Sequence, residues 1–96
     1  MGINSKQRAQ LRAMANGIQP IFQIGKSGLT PQVVNELDAA LEARELIKVS
    51  VLETCEQSAR EVASMASERT HSDVVQTIGR KFVLYRESVD NKRIEL

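Results

Sequence analysis

Between Gln19 and Leu52 an apolar run, a glycine-framed turn, a capped helix and an alternating strand follow without interruption. No other feature constrains the fold as much. Pro20 pushes Gln19 into an extended conformation, and Ile21 to Ile24 then read as a short strand. Thr30 is a helix cap with Pro31 at the first helical position, where its missing N–H costs nothing. Val34, Leu37 and Leu41 form the apolar stripe of that helix, while Glu36, Asp38, Glu42 and Glu45 lie mainly off it and read as solvated charge. From Leu46 to Leu52 the chain alternates, with Ile47, Val49 and Val51 on one face and Lys48 and Ser50 on the other. Two strands separated by such a helix cannot close as a hairpin, so they pair in parallel through a right-handed crossover.

The flanking segments extend this unit. Ser5 reads as the N-cap of a first helix carrying Leu11, Met14, Ala15 and Ile18 at helical spacing, with Asn16-Gly17 as its stop. A third helix is expected over Glu56 to Arg69, where Ala59, Val62, Ala63 and Ala66 make a narrow stripe suited to close packing on a sheet. Asp73 to Arg86 reads as two strands joined around Gly79-Arg80-Lys81. The last ten residues form a polar tail with room for one short strand. The expected architecture is an α/β sandwich of order α-β-α-β-α-β-β with a mixed four-stranded sheet. Residues 1–96 make one domain with its core at about 5–86. Strand order, and whether both crossover helices share a face, stay open at this level.

Composition excludes more than it assigns. A hydrophobic fraction of 42% and a charged fraction of 26% are globular values. No stretch reaches the ~18 uninterrupted apolar residues of a membrane span, and no signal peptide is recognisable. One cysteine, Cys55, forms no internal disulfide and reads as a structural thiol near a strand end. A soluble cytoplasmic protein is therefore expected. One cysteine and one histidine, His71, do not supply a zinc site, and His71 has no nucleophile motif beside it. The string "GKS" lacks the upstream glycine of a Walker loop, since Pro20 occupies that position. No catalytic residue, metal site, cofactor or small-molecule substrate is expected.

The net charge of +1 conceals a division. The first 35 residues carry Lys6, Arg8, Arg12 and Lys26 with no acid, leaving nine bases against twelve acids in the remainder. Val74 to Arg86 is a second acid-free run, with Arg80, Lys81 and Arg86. Such polarity can present one basic face to a polyanion. Within the first run, Gly25-Lys26-Ser27-Gly28 admits two readings. One is a strand-to-helix turn. The other is an anion cradle in which both glycines permit positive φ and close approach of another backbone. In it, loop amides and the first helical turn after Thr30 face the anion. A GxxG loop clamps nucleotide backbone in KH domains, although there it joins two helices.

The strings "SKQRAQLRAMAN", "PIFQIGKSGLTPQVVNELDAALEARELIKVSVL" and "VVQTIGRKFVLYR", in this order and spacing, resemble the CRM domain family, in particular its small single-domain bacterial YhbY-like type. The resemblance covers Ser5 to about Arg86. It implies an RNA-binding domain shaped like the C-terminal domain of translation initiation factor three, associated in bacteria with precursors of the large ribosomal subunit. The family's RNA-contacting loop falls on Gly25, Lys26, Ser27 and Gly28, and its flanking basic positions on the first helix and on Arg80 and Lys81. Lys6, Arg8, Arg12, Thr30 and Arg86 are further candidates. Many members have glycine at the positions of Ser27 and His71, so His71 must take a left-handed conformation or alter its helix cap. Phe22, Phe82 and Tyr85, the only aromatics, all fall in strands and read as core rather than a stacking platform. The expected partner is RNA, specifically ribosomal RNA, bound without catalysis. A protein adaptor docking another assembly factor on its acidic helices is the alternative.

Overall fold

A computed structural model describes residues 2–96. Three helices and four strands follow the expected order: α1 (Ser5–Ala15), β1 (Phe22–Ile24), α2 (Pro31–Arg44), β2 (Leu46–Val51), α3 (Ala59–Thr70), β3 (Asp73–Ile78) and β4 (Lys81–Tyr85). The sheet order is β1-β2-β4-β3. β1 and β2 are parallel, while β4 lies antiparallel between β2 and β3. Both crossovers, β1 to β2 and β2 to β3, therefore move the same way across the sheet. With one handedness they must leave their helices on one face. α2 and α3 indeed cover that face, over Ile24, Ile47, Val49, Val51, Phe82 and Leu84. α1 covers the other, over Leu46, Val75, Val83 and Tyr85. Each fully buried Leu, Ile or Val contributes about 1.5–3 kcal/mol by leaving water.

Local signals set most boundaries, with corrections. α1 begins one residue earlier than expected: Asn4, not Ser5, is the N-cap. Its side chain accepts from the Gln7 N–H at 2.8 Å, and the Gln7 side chain accepts from the Asn4 N–H at 3.0 Å. This reciprocal box satisfies two otherwise orphaned donors, which Ser5 with Arg8 three residues on does not do. At its other end Asn16 remains right-handed at φ −60, and the Gly17 N–H reaches the Met14 carbonyl at 3.2 Å. No left-handed glycine closes this helix, contrary to expectation. α3 starts at Ala59 rather than Glu56, because Ser58 and Glu61 form a second capping box. The small stripe Ala59, Val62, Ala63 and Ala66 is buried, as the spacing predicts. β1 is one residue shorter than expected, though the Ile21 N–H still bonds to the Lys48 carbonyl at 2.9 Å.

Glu42 and Glu45 are corrections of a different kind. Both were expected to be solvated, yet both hold the C-terminal segment. Glu45 is 0% exposed and accepts from the N–H groups of Ser88, Arg93 and Ile94 at 2.6–2.8 Å. Burial alone would raise its pKa; those three donors overcome the penalty and hold it below the ordinary value. Glu42 accepts from the Ser88 hydroxyl and from the N–H groups of Val89 and Asp90, which bring its pKa down to about 2. The tail thus forms no strand. It is pinned by carboxylates, and it buries Ile94 under α1.

Candidate nucleic-acid interface

β1 and β2 run toward the same end of the sheet, and β3 and β4 turn over at that end. Gly25–Gly28, the turn after β2 and the Gly79-Arg80 hairpin tip are therefore neighbours. The N-termini of α2 and α3 are there too. Hydrogen bonds bind these pieces into one surface. The Leu52 N–H donates to the Ile24 carbonyl at 2.8 Å, at the base of the glycine loop. The Val51 N–H donates to the Arg80 carbonyl at 2.7 Å, and Arg80 Nε returns a bond to the Val51 carbonyl at 2.9 Å. Its Nη2 donates to the Leu52 carbonyl. Residues some fifty-five positions apart in sequence so meet across the end of β2.

The glycine loop is a turn closed by the Gly28 N–H on the Gly25 carbonyl at 3.0 Å, with Lys26 and Ser27 exposed at its apex. Only Gly28 needs to be glycine for its backbone, at φ +68. Gly25 is not left-handed, and a Cβ there would meet Thr54 Oγ1 at 3.4 Å and Leu52 Cδ1 at 3.5 Å, which are ordinary contacts. The expectation of two glycines freed for positive φ thus holds for one. The first turn of α2 offers less than expected as well. Pro31 has no N–H, and Thr30 Oγ1 caps the helix by accepting from Val33 at 3.2 Å. Among the described residues, the N–H groups of Lys26, Ser27, Leu29 and Gln32 have no partner. At the apex, the Lys26 and Ser27 amides and the Lys26 ammonium suit an anion.

Other candidates are distributed along the molecule. Lys81 is exposed at the first position of β4, beside Arg80. Arg8 lies on α1 and donates to the Val74 carbonyl, and Arg12 stands exposed one turn further along. Lys6, in the first turn of α1, sits toward the opposite end of the sheet from the glycine loop. Arg86 is also at that far end. Its guanidinium donates to Asp38 Oδ1 at 2.6 Å, to the Thr70 carbonyl at 2.8 Å and to the Asp38 carbonyl at 3.0 Å. It joins the sheet to both helices instead of facing outward. Sequence reasoning passed over Lys48, although its place on the polar side of β2 was readable. Two carboxylates, Glu53 and Glu56, stand exposed in the loop between β2 and α3. Among the described residues no three His, Cys, Asp or Glu side chains converge as a metal site.

The CRS1 / YhbY (CRM) domain model matches residues 3–86. The chain belongs to this family. Among CRM-domain relatives, "Probable RNA-binding protein YqeI" of Bacillus subtilis is 48% identical over 94 residues, covering 98% of each chain. An "RNA-binding protein" of Haemophilus influenzae is 34% identical over 90 residues, covering 94% of this chain and 91% of its own. The solution structure of the Staphylococcus aureus protein SAV1595 superimposes with a TM-score of 0.82 at 48% identity, covering 98% of both chains. Within the CRM domain of this chain, His71 resolves the question its position raised. It adopts the left-handed conformation at φ 56 and ψ 44, and its N–H caps α3 on the Ser67 carbonyl. The aromatics offer no exposed platform: Phe82 and Tyr85 are buried, and Phe22 packs half-buried against the α2/α3 core.

Proposed function

We propose that this protein binds RNA without catalysis, through the sheet end that carries Gly25–Gly28, Arg80 and Lys81. The observation that carries the reading is the hydrogen-bonded junction of Ile24, Leu52, Val51 and Arg80. It makes one surface from two cation-bearing turns that are far apart in sequence. The RNA-binding relatives support the partner class. The family resemblance supports a narrower partner, ribosomal RNA in precursors of the large subunit, and with it a cytoplasmic location. With the aromatics in the core, contacts to phosphate and RNA shape dominate over stacking. The adaptor alternative is weakened, because Glu42 and Glu45 of its acidic cluster hold the C-terminal segment and Asp38 pairs with Arg86.

Affinity for RNA falls with salt at a log–log slope of about −0.7 for each phosphate contact to a single strand. Lys26→Glu weakens binding while circular dichroism and melting stay unchanged, because Lys26 is exposed at the apex of a turn closed by backbone. A slope near zero, or equal binding by this variant, overturns the phosphate reading. Nuclease treatment of a cell extract should release the protein from large-subunit precursors; retention would favour the adaptor.

A further inference from the structure

α1 covers only part of its face of the sheet. The strand register places Gln23, Ser50, Lys81 and Ile78 in one row across β1, β2, β4 and β3, on the α1 side but beyond that helix. A second row below it holds Lys48, Val83 and Gln76. The first row crosses three strand spacings, roughly 14 Å. A shallow depression lies on each side of Lys81. Pro20, Gln23 and Ser50 line one; Asn16, Lys48 and Gln76 line the other. Neither row contains a carboxylate. Glu53 and Glu56 stand exposed in the loop between β2 and α3, outside both rows, so the two rows carry Lys48 and Lys81 with no acid among them.

The residue types are those of base recognition rather than of a plain phosphate track. A glutamine amide carries a donor and an acceptor side by side, the pattern needed to pair with a base edge. Lys48 and Lys81 suit phosphates, and Ile78, 61% exposed, offers an aliphatic surface to a base ring. We propose that these two rows are a base-reading face for single-stranded RNA. One base enters each depression, Gln23 and Gln76 meet their edges, and Lys81 holds the phosphate between them. This rests on the RNA-binding reading above and extends the strand that the Gly25–Gly28 loop grips. Duplex RNA does not suit this face, because its Watson–Crick edges are already paired and its major-groove edges lie in a deep, narrow groove.

Fluorescence anisotropy at fixed salt with short single-stranded A, C and U oligomers and with an RNA duplex tests the face. The native protein should prefer one single-stranded oligomer over the others by about tenfold and bind the duplex more weakly. The double variant Gln23→Ala/Gln76→Ala should lose that preference while its affinity for the least favoured oligomer stays the same. In the native protein, the side-chain amide NMR signals of Gln23 and Gln76 should shift when the preferred oligomer is added. This readout holds even if the variant folds poorly. Uniform binding of all oligomers, a preference retained by the variant, or unmoved glutamine signals overturns the base-reading face. The loop reading survives any of these if Lys26→Glu still weakens binding. Absence of binding to any RNA overturns both.

Discussion

His71 occupies the left-handed region at φ 56 and ψ 44, where a Cβ costs about 1–2 kcal/mol and glycine pays no such steric penalty. Its side chain is exposed and makes no hydrogen bond among the described residues. His71→Gly should therefore stabilise the protein by about 0.5–1 kcal/mol after the added freedom of the unfolded chain is deducted. A rise in the urea midpoint with unchanged slope checks this. Glu45 also has positive φ, 68 with ψ −39, but there the side chain explains the backbone. From this position its carboxylate accepts from Ser88, Arg93 and Ile94 together. Glu45→Gln removes the charge and places an amide donor against backbone donors. The expected loss is about 2 kcal/mol or more, since charge-assisted bonds contribute about 1.5–3 kcal/mol each.

The C-terminal segment behaves as an element although it has no regular structure. Its amides are satisfied by carboxylates, not by a neighbouring strand, so its attachment depends on pH. The Glu42 pKa lies at about 2 in the folded protein against 4.5 in the ordinary state. A lowered folded pKa means stabilisation that is complete above 4.5 and lost as pH falls toward 2. Glu45 is shifted in the same direction. Hydrogen exchange of the Val89, Asp90 and Ile94 amides, corrected for intrinsic rates, should accelerate across that window before the sheet amides do. Equal acceleration of tail and sheet would mean that the tail is no separate unit.

Across the whole molecule, cations divide between two jobs at opposite ends. Lys26 and Lys81 stand exposed at the loop end, where Arg80 ties the hairpin tip to the end of β2. Arg86 ties β4 to α2 and to the last turn of α3, where the helix dipole favours a cation. Arg86→Ala should lower stability by about 1–3 kcal/mol by leaving the Thr70 carbonyl without its charged donor. RNA affinity measured below the melting transition should not change. Lys26→Glu gives the converse result, and the pair separates a binding cation from a structural one. A loss of affinity in Arg86→Ala at full folding would return Arg86 to the interface.

Short-range chemistry made much of this protein legible from its sequence. The Thr30-Pro31 start, the alternation of β2 and the small stripe of α3 all depend on residues within a few positions of each other, whereas at His71 the family resemblance leaves a left-handed residue and an altered cap both open. Even so, the start of α1 was misplaced, because Asn4 and Gln7 satisfy each other and Ser5 lacks such a partner. Tertiary structure alone decided the strand order, the shared face of α2 and α3, the joining of the glycine loop to the hairpin tip, and the roles of Glu45 and Arg86. Those outcomes rest on pairings between residues distant in sequence, such as Leu52 with Arg80, 28 positions apart, and Glu45 with Ile94, 49 apart. Local periodicity carries no record of such pairings: a glutamate that clamps a distant tail has the same spacing on its helix as one that faces water.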